Sequence, residues 1–405
     1  MLNKKTILIG IILVIIVGVV VLLLLFKPTN NLETSSVINK LSSFFPLDDG
    51  NEAQNNNQNP GLLDKDDDSE KGIYKVNDLV ADFDLVNLGV DQYYIVYSDL
   101  KNGNIISWDI INKIKSRLTN TTITSPHSLT ALNGDDFLRI FAGSNNNTKI
   151  NYQYFDIPIS NLSNESSILS GIKPKNLPSY IEEIETMGKN ILTTEKVNSL
   201  YYLYLSNINL ENKKEVFTSP TSNWSTFVDQ SQNKVFLSTK PTKSYPGYLY
   251  LKTANNPSLE KILLSNSSNG LSILPSPDGN KILYSLSTNQ SLSLNLYDTA
   301  TKNSTPLPFL TFADKCVWTE DSLNIYCGAP RHIPFGEYPD DWYKGIISFS
   351  DDIVVVGINN SNDFLVVTTL PENFDTNKIK LVEDGRYIVL QNKKDMSLWV
   401  SELNY

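Results

Sequence analysis

Apolar and polar residues alternate over short stretches along most of the chain, and residues 271–299 show this pattern in its simplest form. Alternation with a period of two is typical of strands that bury one face. The first predicted strand ends near Leu274, the second spans residues 281–286, and the third spans residues 291–297. A Pro-Asp-Gly-Asn run at residues 277–280 separates the first two, and Gly279 supplies the positive φ that such a turn needs. The stretch therefore predicts an antiparallel hairpin followed by a third strand.

The same unit recurs about every 47 residues along the chain. The second strand of each unit is predicted at residues 94–97, 137–140, 191–194, 235–238, 282–285, 325–327 and 387–390. An alternating third strand follows each time, at residues 105–110, 149–157, 200–208, 248–253, 291–297, 345–350 and 397–403. A shorter fourth segment usually closes the unit. Repeated four-stranded units predict an all-β, seven-bladed β-propeller, since two stacked β-sandwiches would not repeat one unit so regularly.

The two ends of the repeat array complement each other. The last unit has only three predicted strands before Tyr405, and residues 72–79, ahead of the first unit, have no hairpin partner of their own. A free strand edge invites pairing with other chains. We therefore predict that residues 72–79 form the outer strand of the last blade and close the ring.

Short motifs in three of the units carry a resemblance to a known family. Residues 275–282, Pro-Ser-Pro-Asp-Gly-Asn-Lys-Ile, resemble the hairpin of bacterial WD40-like propellers, which include TolB and the N-terminal propeller of dipeptidyl peptidase IV relatives. Residues 318–325 keep the tryptophan of that hairpin, and residues 383–388 with 397–400 are similar to the last blade of such domains. The resemblance covers roughly residues 72–405. It implies a propeller fold and says little about function.

Residues 6–26 form an unbroken apolar run without charge. As a helix this run is about 31 Å long, close to the thickness of a bilayer core. Lys4 and Lys5 precede it, and only Lys27 follows directly. Because positive charge favours the cytoplasmic side, we predict a cytoplasmic tip at residues 1–5, a single transmembrane helix, and the rest of the chain outside the cytoplasm.

An acidic, Asn-rich segment separates this run from the repeats. Residues 51–61 contain almost nothing to bury, and residues 64–70 are mostly acidic. Such compositions do not support a packed core. We interpret residues 27–71 as a flexible linker and residues 72–405 as the propeller domain.

Charge and residue content exclude several functions. A formal net charge of −10 argues against a nucleic-acid partner, which requires basic patches. The chain has two histidines, no glycine-rich phosphate loop and no ligand spacing typical of a metal site. Without a nucleophile and base in a recognisable motif, we expect no catalysis, no metal and no cofactor.

Two cysteines flank the predicted hairpin of the sixth unit. With a two-residue turn at residues 321–322, Cys316 faces Cys327 across the hairpin. Directly opposed residues lie at the short Cα separation that a disulfide tolerates. We predict a disulfide, which persists outside the cytoplasm. Two buried free thiols are the alternative.

One long loop is predicted at residues 328–344, between the second and third strands of the sixth blade. Long loops in compact domains are often functional, and aromatic and arginine residues are typical of binding hot spots. The candidate binding residues are Arg331, His332, Tyr338, Asp341, Trp342 and, in a connector on the same face, His127. The alternative is that the loop plugs or covers the central channel.

These observations predict a membrane-anchored, extracytoplasmic binding or scaffold module without catalysis of its own. Its expected partners are the lipid bilayer, through residues 6–26, and a protein, a peptide or a cell-envelope polymer. A glycan-binding or glycan-processing propeller and an accessory subunit of a peptidase are the alternatives.

Overall fold

The computed structural model describes residues 72–403, apart from 147–148, 163–171, 257, 266–267 and 288–290. The predicted tip (residues 1–5), membrane helix (6–26) and linker (27–71) lie outside the described residues. Within the described ranges, no helix has the length and apolarity needed to cross a bilayer.

The described residues form seven sheets of four antiparallel strands. In chain order, β1 (Ile73–Asn77) precedes blade 1 (β2 Val80–Asn87, β3 Tyr93–Asp99, β4 Ile105–Asp109, β5 Lys115–Arg117), blade 2 (β6 Pro126–Asn133, β7 Phe137–Asn145, β8 Ile150–Pro158, β9 Lys175–Asn176) and blade 3 (β10 Ile181–Met187, β11 Asn190–Val197, β12 Leu200–Ser206, β13 Lys214–Ser219).

The remaining blades follow the same order. They are blade 4 (β14 Trp224–Val228, β15 Lys234–Thr239, β16 Leu249–Thr253, β17 Glu260–Ile262), blade 5 (β18 Ser272–Pro275, β19 Lys281–Ser287, β20 Leu292–Asp298, β21 Ser304–Pro306), blade 6 (β22 Cys316–Trp318, β23 Asn324–Pro330, β24 Asp351–Gly357, β25 Leu365–Thr369) and blade 7 (β26 Thr376–Leu381, β27 Tyr387–Asn392, β28 Leu398–Glu402). The prediction of an all-β, seven-bladed propeller is confirmed.

The first strand of each blade is the inner one. Strand β2 contacts β6, β6 contacts β10, and β26 contacts both β22 and β2. Because strands alternate in direction, the loops between second and third strands share one face with the connectors between blades. We refer to this side of the ring as the connector face.

The ring closes as predicted. Strand β1 pairs with β28, so that Ile73 lies opposite Ser401, and the sheet order of blade 7 is β1-β28-β27-β26. The backbone amide of Glu402 also donates to the carbonyl of Gly72 at 2.9 Å. The first described strand therefore covers the edge that β28 would otherwise expose.

The hairpin of blade 5 shows why its sequence turns where it does. Gly279 has a φ of +66°, which side chains disfavour. The Asp278 carboxylate accepts the backbone N–H of Asn280 at 3.0 Å, and the Ser276 hydroxyl accepts that of Lys281 at 2.9 Å. Short polar side chains thus satisfy the turn's backbone donors.

The hydrophobic core lies between neighbouring blades, because each sheet buries both faces. One cluster joins blades 1 and 2 through residues such as Val96 and Ile140, and another joins blades 6 and 7 through Ile353 and Ile388. Blade 3 contributes a smaller cluster beside blade 4, made of Leu192, Leu203, Leu205 and Val216. The packing between blades is therefore unequal around the ring.

One strand assignment needs correction. The third strand of blade 6 was predicted at residues 345–350, but it is β24, Asp351–Gly357. The long loop accordingly spans residues 331–350 and includes a short helix, α1 (Asp340–Tyr343). Apolar residues of the loop, such as Ile347 and Phe349, imitate strand alternation but pack in a separate cluster. The true strand is an almost continuous buried run, a pattern that alternation does not detect.

Candidate functional site

The two cysteines are cross-strand partners in blade 6. Cys316 of β22 lies opposite Cys327 of β23, in the register that the two-residue turn requires. The structure joins them by a disulfide, with an S–S distance of 2.08 Å and a Cα–Cα distance of 4.1 Å. Both side chains are buried, so the bond belongs to the core of the blade.

The two aromatic residues predicted as binding residues lie inside the long loop. Tyr338 and Trp342 are 1% and 2% exposed. Their rings pack around Phe312, with centroid distances of 6.0 and 5.0 Å, and around Phe349. These rings give the loop a small core of its own. Neither ring is presented to a ligand at the surface.

A buried ionic centre anchors the loop to blades 6 and 7. Lys315 Nζ lies 2.7 Å from Asp351 Oδ2 and 2.9 Å from Asp375 Oδ1, and all three side chains are fully buried. Trp342 Nε1 and the Phe349 backbone N–H donate to Asp375 Oδ2 at 3.0 and 3.1 Å. Burial, followed by the charge of Asp375, raises the pKa of Asp351 even though Lys315 lowers it. The loop is thus tied down by charge-assisted bonds.

The other predicted residues have separate positions. Arg331 forms a two-point ion pair with Asp352, at 2.9 and 2.7 Å, which raises the pKa of the guanidinium. Asp341 Oδ2 accepts the backbone N–H of Glu337 at 2.8 Å. His332 is exposed on the loop, whereas His127 is exposed at the start of β6. Strand order puts both histidines on the connector face, but in blades 6 and 2.

The loop extends from blade 6 across the connector face to blade 4. Asp340 accepts the Thr242 hydroxyl at 2.9 Å and the Lys243 backbone N–H at 2.7 Å. The Tyr343 hydroxyl donates to Asp314, which immediately precedes blade 6. Through Tyr343, the loop forms a wall of a cavity between blades 4 and 5.

Two adjoining cavities flank β14, the inner strand of blade 4. The one between blades 4 and 5 has a volume of about 390 Å³, and the one between blades 3 and 4 a volume of about 300 Å³. Ser225, Phe227 and Lys240 line both. We call the two cavities together the β14 groove. The smaller cavity lies beside the small core cluster of blade 3, two of whose members, Leu192 and Leu203, line it.

Carboxylates and one lysine define the charge of the groove. Glu183 Oε1 lies 3.2 Å from Lys240 Nζ. Glu185 lines the same cavity, and its side chain is exposed to solvent. Asp314 is exposed as well, and it accepts hydrogen bonds from the hydroxyls of Ser272 and Tyr343. The groove is therefore acidic overall, with three carboxyl groups and one lysine.

Charged residues on the opposite inner strands serve the fold instead. Asp82 Oδ2 and Asp84 Oδ2 accept the backbone N–H groups of Leu129 and Ala131, at 2.8 and 2.9 Å. These N–H groups belong to the free edge of β6, which faces no further strand. Lysines of blade 7 pair with the same carboxylates: Lys378 Nζ lies 2.6 Å from Asp82 Oδ1, and Lys380 contacts Asp84. This ionic seam joins blades 7, 1 and 2.

Sequence reasoning missed the groove residues, although one signal was present. Acidic residues alternate at positions 183 and 185 of β10, a strand that the repeat assigns to the centre of the ring. Charged residues are unexpected in a packed core, so on an inner strand they indicate either ion pairs between blades or a binding site. The signal does not distinguish these two outcomes, because pairing with a lysine depends on side chains of another blade, here Lys240 of the neighbouring blade 4.

No metal centre is evident in the part of the chain that the structure describes, where no group of three or more His, Cys, Asp or Glu side chains is placed to hold an ion.

The sequence matches no known protein family. It also matches no curated protein. Solved structures do share the fold. Oligogalacturonate lyase from Vibrio parahaemolyticus has a TM-score of 0.53 at 8% identity, over 83% of this chain and 95% of that chain. An oligogalacturonate lyase in complex with manganese has a TM-score of 0.53 at 10% identity, over 78% and 86%. A chain of the mitotic checkpoint complex has a TM-score of 0.51 at 11% identity, over 85% and 98%. At such identities the likeness establishes the propeller fold alone.

Proposed function

We propose that the protein is a membrane-anchored, extracytoplasmic propeller that binds an extended segment of a protein, peptide or cell-wall polymer in the β14 groove, without catalysis of its own. The observation that carries the proposal is the groove itself, in which two adjoining cavities follow one inner strand. The motif at residues 275–282 supports placing the chain beside the WD40-like, TolB-type propellers.

The groove suits an extended ligand in three ways. Strand β14 is an edge strand of its sheet, so one side of its backbone is open to pairing. Trp224, Phe227 and Tyr343 supply aromatic surface, which is typical of binding sites. Trp224 is held in place by a hydrogen bond from its Nε1 to the Ser219 hydroxyl at 2.9 Å. A preorganised aromatic wall loses little entropy when a ligand binds.

The membrane location is part of the proposal. Residues 6–26 would span the bilayer, and the bias of lysines toward residues 4 and 5 supports a cytoplasmic N-terminus. A cysteine-specific, membrane-impermeant label tests this on intact cells, with single cysteines introduced at position 3 or at the exposed position 189 of a variant in which Cys316 and Cys327 are replaced by alanine. We expect labelling at 189 only. Labelling at position 3 alone would show that the N-terminus, and not the propeller, lies outside the cytoplasm.

A glycan-processing propeller is the second candidate. Its supporting observation is that three carboxyl groups, Glu183, Glu185 and Asp314, line the groove, and glycoside hydrolysis uses a pair of carboxyl groups. The structural neighbours named oligogalacturonate lyase share only the fold. Release of new sugar ends from purified wall glycans would favour this candidate over simple binding.

The proposal is tested by a substitution that fills the groove with a larger side chain. Ser225 lines both cavities, so Ser225→Phe should block them, whereas Tyr245→Ala alters a side chain that is 73% exposed and lies outside both. Full-length protein in detergent is tested for co-sedimentation with isolated cell walls and for binding to an immobilised peptide library. We expect Ser225→Phe to reduce retention about ten-fold or more and Tyr245→Ala to leave it unchanged. Equal retention by both variants, with unchanged thermal midpoints, would rule out the groove as the binding site.

A further inference from the structure

The connector face carries an exposed apolar cluster that lies outside the β14 groove. Among the described residues, only five large apolar side chains are more than 60% exposed, and three of them are Tyr245 at 73%, Ile346 at 69% and Phe335 at 61%. Tyr245 belongs to the loop between β15 and β16 of blade 4, and the other two belong to the long loop of blade 6. None of the three lines either cavity of the groove. We call these three side chains the loop tip.

The two members of the tip on the long loop lie on adjoining segments. The backbone of Gly336 lies against the side chain of Ile347, where an added Cβ would come within 2.0 Å of Cδ1. Phe335 and Ile346 are the chain neighbours of these two residues, so their segments pack side by side. The loop also has its own buried aromatic core and is bonded to Asp375 of the preceding connector. Both side chains are therefore presented by a preorganised loop.

The third member, Tyr245, is held beside the long loop. Two residues before it, Lys243 Nζ lies 3.4 Å from Glu337 Oε1. The backbone N–H of Lys243 donates to Asp340 Oδ2 at 2.7 Å. The tip is therefore one surface built from two loops that are bonded to each other.

Exposed apolar side chains that lie together mark a surface for interaction. A standard protein–protein interface buries about 800 Å² on each partner, which three side chains do not supply. Insertion into a bilayer interface requires less, because a few apolar groups penetrate the headgroup region by about 5–10 Å. Aromatic rings such as those of Tyr245 and Phe335 are typical of that region. The size and composition of the tip therefore favour lipid.

The distribution of charge favours the same face. The segments between strands on the connector face contain nine basic and eight acidic residues, whereas those on the opposite face contain six basic and twelve acidic residues. An anionic surface therefore repels the opposite face and not the connector face. Lys243 and Lys344 lie within two positions of Tyr245 and Ile346, and a lysine near an anionic membrane surface is attracted to it.

The chain ahead of β1 is long enough for this contact. Strand β1 begins on the opposite face, where Gly72 accepts the backbone N–H of Glu402. Residues 27–71 separate it from the predicted membrane span, and a coil of 45 residues has an end-to-end distance of about 37 Å. Strand β2, with eight residues, is about 26 Å long. The segment therefore reaches past the ring, so that the connector face meets the bilayer.

We propose that the loop tip inserts into the headgroup region of an anionic lipid bilayer and turns the connector face toward the membrane. The contact goes beyond ligand binding in the β14 groove, and it rests only on the membrane location that is part of the proposed function. The tip and the groove share no side chain, so the two contacts do not compete for the same residues.

The test uses full-length protein in lipid nanodiscs made of phosphatidylglycerol and phosphatidylcholine in equal parts. An environment-sensitive fluorophore is attached to Ser244→Cys, beside the tip, or to Gln230→Cys, in the opposite turn of the same blade, both of which are exposed positions. The native disulfide stays in place because both of its cysteines are buried. Lipids with a nitroxide on the headgroup should quench the label at 244 and leave the label at 230 as bright as without nitroxide.

Two matched double variants show whether the tip causes the quenching. Phe335→Ser with Ile346→Ser, combined with Ser244→Cys, should lower the ratio of docked to free propeller about ten-fold or more, because two apolar side chains no longer leave water. Val90→Ser with Leu323→Ser removes two exposed apolar side chains from the opposite face and should leave the quenching at 244 unchanged.

Equal quenching at the two reporter positions, or quenching at 244 that survives Phe335→Ser with Ile346→Ser, overturns the docking of the tip on lipid. A chain that co-elutes with the discs but is not quenched at 244 overturns it as well and leaves the membrane anchor intact, which is the result expected of a tip that serves a protein partner. A chain that does not co-elute with the discs contradicts both the anchor and the tip. Binding in the groove is measured separately, through the effect of Ser225→Phe on cell-wall retention.

Discussion

Lys315 is a fully buried lysine between two fully buried aspartates. Replacing one member of such a group leaves uncompensated charge in the interior. We expect Lys315→Ala to destabilise the protein by about 3–5 kcal/mol, measured by urea unfolding at neutral pH. The loop at residues 331–350 should loosen first, because Asp375 also holds Trp342 and Phe349.

An exposed ion pair provides the control for this prediction. Lys302 lies 3.4 Å from Glu260, and its side chain is 68% exposed. Exposed pairs contribute about 0–1 kcal/mol. Lys302→Ala should therefore shift the unfolding midpoint only slightly. A similar shift in both variants would mean that the Lys315 centre does not stabilise the fold.

The disulfide yields a second prediction at this scale. Cys316 and Cys327 are separated by 11 positions, and closing a loop of this size in the unfolded chain corresponds to about 3 kcal/mol. We expect Cys316→Ala with Cys327→Ala to lose stability of this order. We also expect no mass increase when unreduced, denatured protein is treated with iodoacetamide. Two alkylated thiols would show that the bond is absent.

Individual residues were predictable from sequence only where local geometry determines them. The two-residue turn of one hairpin fixed the pairing of Cys316 with Cys327. The exposure of Tyr338 and Trp342 depended instead on Phe312, which lies in the preceding connector. Composition alone does not distinguish an aromatic hot spot from an aromatic core, so the covering role of the loop was the alternative that sequence left open.

At the scale of elements, the ion pairs between blades 7 and 1 predict that the stability of the fold depends on pH. Burial raises the pKa of Asp84, but the charges of Lys380 and Lys378 outweigh it and hold the pKa below its ordinary value. A lowered carboxyl pKa stabilises the fold above the unfolded value of about 4, and this contribution is lost as the pH falls through the folded value.

Asp84→Asn should test that account. We expect a loss of about 2 kcal/mol at pH 7, because charge-assisted bonds to Lys380 and to the Ala131 amide weaken. The difference from the unsubstituted protein should begin to shrink below about pH 4, where the carboxyl takes up a proton in the unfolded chain, and should vanish as the pH falls through the lowered pKa of folded Asp84. Asp78→Asn, whose side chain is 84% exposed, is the matched control. If the loss of stability in Asp84→Asn stays constant with pH, the ion pairs between blades 7 and 1 do not stabilise the fold through the ionised Asp84.

The closing strand makes a separate prediction. Strand β1 pairs with β28 over residues 73–77, and Val76 is buried against the last blade and the first. In hydrogen exchange, we expect the β1 amides that bond to β28 to be protected together with blade 7. Exchange of β1 at the rate of an unstructured segment would contradict closure of the ring by this strand.

The repeat period predicted the positions of most strands, but not of all. Each blade's second strand lies at the predicted position, because its turn residues and alternation are local. The predicted position of the third strand of blade 6 was wrong, because residues 345–350 alternate between apolar and polar while β24 is almost continuously buried. A loop with its own small core, such as residues 331–350, breaks the period without any change in composition.

At the scale of the whole molecule, the sequence predicted the ring but not its site. Seven similar units and two complementary ends were sufficient for the fold. The β14 groove arises where blades 3, 4 and 5 meet, from Glu183, Trp224 and Tyr343, which lie far apart in the chain. No single unit contains the groove, so no repeat pattern reveals it.

The central claim is that the connector face binds its partner in the β14 groove, and hydroxyl-radical footprinting on intact cell envelopes tests it whatever the ligand is. Labelling is compared between protein in the envelope and protein solubilised in detergent. We predict that Trp224 and Tyr343 are protected in the envelope and become reactive on solubilisation, while Tyr245, outside the groove, is equally reactive in both. Unchanged labelling of Trp224 and Tyr343, or protection confined to another face of the ring, would contradict the account.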